Sequence, residues 1–335
     1  MFTAKIRCMI NPALSSDMEK IEHPYASNSA FIGVLDKNIK KLEKRMGISL
    51  SIRGNSIILN GPKEKVEFAK YYFDQLKHFK NEGRPLQAED FHIALDLLEN
   101  GQTDDLGDFT LPRPIDLSHK SVRPKSLNQH NYIQAIKSND LVFGIGPAGT
   151  GKTYLAMASA LSSLQNKEVN RIVLTRPAVE AGEKLGFLPG DLQQKINPYL
   201  RPLYDALYNL APSEQATNLL EKGIIEIAPL AFMRGRTLNN AFIILDEAQN
   251  TTKEQMKMLL TRTGFDSKLI ITADITQIDL PQPHKSGVLQ ALEILSGIKE
   301  IAFIKFNEKD VVRHPLVQKI IKAYEKAVNK PKKKK

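Results

Sequence analysis

Cysteine is almost missing from this chain: Cys8 is the only one in 335 residues, so an internal disulfide is excluded and a cysteine metal cluster has nothing to build on. Also missing is any apolar run near the roughly 18 residues that a membrane-spanning helix needs. The opening stretch "MFTAKIRCMINP" lacks the apolar centre of a secretory signal, so the cytoplasm is the expected compartment, with no membrane partner. The seven histidines show no ligand-like pairing; His314 in "RHPLV" reads as a cap or flank of a final helix. No Ser/His/Asp triad can be nominated, and no internal repeat is present. What is there belongs to a globular class, with 42% hydrophobic and 25% charged residues, in a chain long enough for two domains.

An acidic excess is absent too, and the formal net charge of +10 points to a polyanionic partner. Half of it lies in the last eleven residues, "EKAVNKPKKKK", with six lysines and one glutamate. Such a run is either a solvated end or a nucleic-acid contact.

The most informative stretch is "FGIGPAGTGKTYLA", residues 143 to 156. Gly146-x-x-x-x-Gly151-Lys152-Thr153 meets every fixed position of the phosphate-loop pattern, between an expected buried strand (141–145) and an expected helix (154–164). Glycine tolerates positive φ, so Gly146, Pro147, Ala148, Gly149, Thr150 and Gly151 can turn successive N–H groups inward around an anion. Lys152 then reaches the β- and γ-phosphates, the Thr153 hydroxyl ligates Mg2+, and the helix N-terminus adds its partial positive charge, with Tyr154 counted in the same binding stretch.

Around this loop the chain divides. Residues 1–105 read as a small α+β domain. "FIGVL" is a strand, and Leu35, Ile39, Leu42 and Met46 form one helical face. "ISLSIR" and "SIILN" are strands joined at Gly54-Asn55, and Asn60-Gly61-Pro62 opens a helix carrying Val66, Ala69, Phe73 and Leu76. A further helix over about 88–100 leads to a polar, proline-punctuated linker at 106–125. From 126 to 324 apolar strands (141–145, 171–175, 224–228, 241–245, 268–273, 301–306) alternate with amphipathic segments, and 325–335 is the lysine tail. Alternation predicts a parallel sheet covered by helices on both faces, with ligands at the carboxyl ends of its strands.

Two other strand ends supply partners for the loop. "AFIILDEAQN" delivers Asp246, placed to hold Mg2+, and Glu247, placed to orient or deprotonate an attacking water. "ITADITQ" ends in Thr272, Asp274 and Gln277, of which Gln277 suits hydrogen bonding to the γ-phosphate, or all three are plain turn residues. In "LNQHNYIQAI", Gln129 is either a helix-start residue or an adenine-recognising amide. In "TRPAVEAGEKLGFLPGD", Arg176 and Lys184 suit backbone phosphates, with Gly182, Gly186 and Gly190 allowing close approach, or the glycines merely punctuate a loop.

Taken together, "LNQHNYIQAIKSNDLVFGIGPAGTGKTYLA", "RIVLTRPAVEAGEKLGFLPGDLQQKINPYLRPLYDAL", "MRGRTLNNAFIILDEAQNTT", "ITADITQIDLP" and "DVVRHPLVQKI" resemble the PhoH-like ATPases, whose core is similar to one RecA-type domain of superfamily 1 helicases. The resemblance implies a RecA-like P-loop NTPase sheet. It implies Gln129 as the adenine reader, Lys152 and Thr153 as phosphate and metal residues, Asp246 and Glu247 as metal and water residues, and Gln277 as the γ-phosphate sensor. It also implies RNA metabolism, rRNA maturation beside a YbeY-type endoribonuclease above all. PhoH-like proteins often carry a KH-like N-terminal domain; here the helix-strand-strand-helix order resembles part of one, but "IGVLDKN" offers only Gly33 where a GXXG loop is expected.

A helicase closes ATP between two RecA-like domains, and the 58 residues after Gln277 are too few for a second. The closing arginine is therefore expected from a neighbouring copy in a head-to-tail ring, with a hexamer expected by analogy. Arg236 in "MRGRTL" and Arg313 in "VVRHPL" are the candidates, with Arg234 behind them; a surface salt bridge is the alternative for each. The function expected is an Mg2+-dependent ATPase acting with RNA. The rival is a nucleotide-dependent interaction module with little turnover, and a kinase fits less well because Glu247 beside Asp246 suits water activation.

Overall fold

The structure is a computed structural model that describes residues 18–24, 39–54, 56–78, 87–99, 113–177, 192–283, 286–312, 316–317 and 320. The chain forms two compact units, Met1–Arg113 with Pro124–Leu127 and Pro114–Arg123 with Asn128–Lys335. Among the described residues no helix is long and apolar enough to cross a membrane.

The first unit holds a three-stranded antiparallel sheet, β1 (Met18–Pro24), β2 (Ser49–Arg53) and β3 (Ser56–Pro62), in the order β1-β3-β2. Period-two alternation sends Leu50, Ile57 and Leu59 to one face. There they meet Leu42 and Met46 from a helix at 39–46, and Val66, Ala69, Phe73 and Leu76 from α1 (Lys63–His78). Helix α2 (Ala88–Glu99) closes the core with Phe91, Leu95 and Leu98, and the Tyr72 hydroxyl donates to the Phe91 carbonyl at 2.7 Å. Two readings of this region change. Asn60, Gly61 and Pro62 end β3 instead of opening the helix, which starts at Lys63, because the strand pairs with β1 along its whole length, Met18 opposite Pro62. The β1 strand itself was not foreseen, since "MEKIEHP" contains one aliphatic residue. The expected strand "FIGVL" and Gly33 lie outside the described residues.

The second unit is a six-stranded parallel sheet: β6 (Leu141–Ile145), β7 (Arg171–Arg176), β8 (Ile225–Pro229), β9 (Ala241–Leu245), β10 (Lys268–Ala273) and β11 (Ile301–Lys305), in the order β11-β6-β10-β9-β7-β8. The central strands are continuous apolar runs because both faces are covered; all five residues of β9 are buried. One face packs against α3 (Leu127–Ser138), α4 (Lys152–Gln165), α5 (Leu192–Leu210) and α6 (Ser213–Glu221) through residues such as Ile133, Leu155, Leu203 and Ala216. The other packs against α7 (Lys253–Leu260) and α8 (Gly287–Leu295) through Met256, Leu259 and Val288.

Part of the expected linker is corrected. Residues 114–123 form a hairpin, β4 (Ile115–Leu117) and β5 (Lys120–Val122), whose Ile115, Leu117 and Val122 join the core on the α4 face. Prolines and three-residue strands hid an apolar contribution that becomes visible only once the α4 surface is there to bury it. The lysine tail lies outside the described residues.

Candidate nucleotide site

Because every strand of the sheet runs the same way, the segments after β6, β9 and β10 emerge at one rim. The strand β10 stands between β6, which leads to the glycine loop, and β9, which leads to Asp246. That order places Thr272 and Asp274 between the loop and the acidic pair.

The loop takes its shape from its glycines and from the segment beyond β11. Gly146 has φ 150, and a Cβ there would lie 2.6 Å from the Phe306 carbonyl oxygen, so no larger residue fits. Gly151, at φ 83, turns the chain into α4. The loop is strapped from outside: Phe306 N donates to the Ile145 carbonyl at 2.7 Å and Val312 N to the Gly149 carbonyl at 2.9 Å. Buried Asp310 accepts from Asn128 Nδ2 at 2.9 Å, fixing the strap to the start of α3. Sequence reasoning did not identify this strap.

Lys152 folds back over the loop, donating to the Gly146 and Pro147 carbonyls at 2.7 and 2.9 Å. Burial pushes its ammonium below the usual lysine range, against the opposing effect of Asp274, Asp246 and Glu247. A lysine that is desolvated, faces three carboxylates and is held by two carbonyls is poised to exchange those carbonyls for phosphate oxygens. The hydroxyls of Thr153 and Thr272 both donate to Asp246 Oδ1, at 2.6 and 2.7 Å. A hydroxyl and a carboxylate this close form an oxygen-only donor set, which suits a hard divalent cation such as Mg2+.

Glu247 follows with φ 52, a left-handed conformation uncommon for a non-glycine residue. Its Oε2 accepts from Gln249 Nε2, and its Oε1 lies 3.5 Å from Arg176 Nη2. Asp274 Oδ2 accepts from the Ala148 N–H at 2.9 Å, tying the β10 turn to the loop, and the Gln277 N–H donates to the Asp274 carbonyl at 3.0 Å. Lys152, Thr153, Tyr154, Asp246, Glu247 and Gln277 line a single cavity of about 320 Å³, which Pro202 and Ala206 of α5 also line. Gln129 is buried beside the loop and donates to the Thr150 carbonyl at 3.0 Å.

The remaining candidates fall elsewhere. Arg236 does not line the cavity; it makes two 2.7 Å bonds to Glu226, whose carboxyl they hold below its usual range. Arg234 is exposed. Arg176, read as a backbone-phosphate ligand, donates to the Tyr199 carbonyl at 3.2 Å and faces Glu247. Arg313, His314, Lys184, Gly182, Gly186 and Gly190 lie outside the described residues. Sequence reasoning missed Gln249, fully buried in "DEAQN"; its nearness to the acidic pair was the available signal.

The family described as PhoH-like protein matches residues 121–325. A PhoH-like protein of Bacillus subtilis is 48% identical over 309 residues, 92% of this chain and 97% of its own. One from Mycobacterium tuberculosis (strain H37Rv) is 50% identical over 293 residues, 88% of this chain and 83% of its own. Among solved structures, the large terminase of a thermophilic bacteriophage covers 58% of this chain and 49% of its own at 12% identity and a TM-score of 0.36; the fold assignment rests instead on the strand order and the loop. With a parallel RecA-like sheet, a phosphate loop after β6 and an acidic pair after β9, this chain is a P-loop NTPase and belongs to the PhoH-like protein family.

Proposed function

We propose that the protein hydrolyses ATP with Mg2+ and couples that reaction to RNA. The observation that carries the catalytic half is the convergence of Lys152, Thr153, Asp246 and Glu247 on one cavity. The loop N–H groups receive the phosphates, and Lys152 leaves the Gly146 and Pro147 carbonyls to contact the β- and γ-oxygens. Thr153 and Asp246 hold the cation, which when bound offsets charge on the phosphates. Glu247 orients water and accepts its proton, and Gln277 hydrogen-bonds the terminal phosphate. Gln129, on the start of α3, reads the adenine edge.

RNA is favoured as partner by the excess of basic residues and the lysine tail. A neighbouring copy supplies the cation that one RecA-like domain leaves out, with Arg313 or Arg236 as donor; Arg236 must first leave Glu226. Phosphate release by the full chain, with and without single-stranded RNA, tests both halves, and native mass in the presence of ATP tests the assembly. RNA-stimulated release from an oligomer is the expected result. One observation favours the interaction-module reading, in which turnover is slight: Lys152 and Glu247 are both held by the protein's own groups. Release that stays negligible with RNA present would select it.

A further inference from the structure

Arg176 is the last residue of β7, and it brings to the rim a cation that belongs neither to the phosphate loop nor to the acidic pair. Its Nη1 donates to the Tyr199 carbonyl of α5 at 3.2 Å, while Nη2 lies 3.5 Å from Glu247 Oε1. Since Gln249 Nε2 donates to the other oxygen, both oxygens of the Glu247 carboxylate face donors.

The two donors are anchored very differently. Gln249 is fully buried; its Oε1 accepts from the Asp274 N–H at 3.0 Å, and its backbone carbonyl accepts from Ser286 Oγ at 2.7 Å. Swinging its side chain away from Glu247 would also break the Asp274 bond and leave a buried N–H unpaired, while the Ser286 bond pins its backbone. Arg176 is one fifth exposed (21%), and Glu247 about one third (34%). Their 3.5 Å separation is longer than the roughly 2.7–2.9 Å of a charge-assisted hydrogen bond. A guanidinium presents five N–H donors in a planar fork, and a phosphate oxyanion takes two of them together, which one carboxylate oxygen at this distance does not. The arginine is thus the exchangeable half of the clamp, and Gln249 the fixed half.

We propose that Arg176 is a positioning residue that holds Glu247 Oε1 until a phosphate oxyanion takes its guanidinium, freeing that oxygen to accept a proton from water. This rests on Glu247 serving as the base. In the exchange a proton passes from water to the carboxylate and nothing is oxidised or reduced. Two sources offer the same oxyanion at this rim: the backbone of a bound RNA and the terminal phosphate of the nucleotide. If either competes with Glu247 for Arg176, then Glu247 and that ligand are thermodynamically linked, and weakening one partner must strengthen the other.

The linkage can be read from binding alone, in a cycle of wild type, Glu247→Gln, Arg176→Gln and the double variant of the full chain. Affinities for oligouridylate and for a non-hydrolysable ATP analogue are measured separately at low salt, with melting temperatures as the check on folding. Glu247→Gln keeps the side chain's size and removes the competing charge, so it is expected to tighten one ligand about fivefold or more. That gain should vanish when Arg176 is already Gln. Tightening of oligouridylate identifies the RNA backbone as the source, and tightening of the analogue identifies the nucleotide. Arg176→Lys, which keeps the charge but loses the fork, should retain a smaller gain, and it carries the test if Arg176→Gln does not fold. Phosphate release by wild type is recorded alongside, so failure of the hydrolase reading is seen separately from failure of the exchange. If Glu247→Gln tightens neither ligand, or tightens them equally with and without Arg176, the exchange is wrong and Arg176 is a bracket for Tyr199 and α5.

Discussion

The two units handle buried polar groups in opposite ways. Around the three-stranded sheet the interior is almost wholly apolar: Leu59, Val66, Phe73, Phe91 and Leu98 are out of solvent, and His23 and Asp90 are the buried polar side chains among the described residues there. In the parallel-sheet unit Thr150, Lys152, Asp246, Gln249, Thr272 and Asp274 are buried at one rim, held by a network that joins the loop to the ends of β9 and β10. Glu247 adds a left-handed backbone at the same place. Desolvated charge and a left-handed backbone of this kind oppose folding, so they persist only where the surrounding structure holds them. The first unit is almost purely packed apolar surface, and the second adds to its packing a buried polar rim.

Substitutions can break that contrast, and the largest effect is expected at Lys152. Lys152→Ala should abolish phosphate release and weaken nucleotide binding, yet leave the melting temperature undiminished, because the lost ammonium is desolvated in the folded state. Hydrolysis persisting in that variant would remove the loop from the reaction.

The converse experiment is Phe73→Ala in the apolar centre of the first unit. It should lower that unit's stability by about 3–5 kcal/mol through lost burial and an unfilled cavity. Calorimetry is expected to show an early transition, while a fluorescent ATP analogue still binds the intact parallel-sheet unit. Loss of binding in step with that transition would mean that the rim depends on the first unit's core.

Glu247→Gln comes next in size. The variant should bind ATP and lose roughly 10²-fold or more in turnover, within the usual range for general-base catalysis. Quenched-flow phosphate release checks the rate and filter binding the affinity; a normal rate would assign the water to another residue.

A graded effect should appear with pH. Burial, helped by the charge of Lys137, holds His130 on α3 neutral, its pKa pushed down from 6.5 to about 4. The folded pKa is the depressed one, so the stabilisation is complete above pH 6.5 and is lost as pH falls to about 4, reaching about 3 kcal/mol at the bottom of that window. Thermal unfolding of wild type and His130→Gln across the window should show a flatter acid limb in the variant. Parallel limbs would place the acid sensitivity in other groups.

Legibility from the sequence followed burial. The strands β6, β9 and β10 match their expected limits because strands covered on both faces are unbroken apolar runs. The strand β1 was invisible because its seven residues are held mainly by backbone pairing to β3, which leaves no apolar pattern to read. The β4–β5 hairpin looked like a linker because its three apolar residues mean nothing until α4 lies against them. In the site, the phosphate loop and the acidic pair are local signals, but Asp310 strapping the loop through Asn128 is not.

The sequence by itself determined where the chain turns through positive φ at Gly146, Gly149 and Gly151, which residue types follow, and which segments must be buried, since these depend on a residue and its near neighbours. Tertiary structure decided which groups meet: Thr153 with Asp246, Gln249 with Glu247 and Asp274, Arg176 with Glu247, and Arg236 with Glu226 away from the cavity. The reason is one of range. A hydrogen bond or ion pair needs groups within a few ångströms, and for residues far apart in the chain that distance is set by strand order and helix packing.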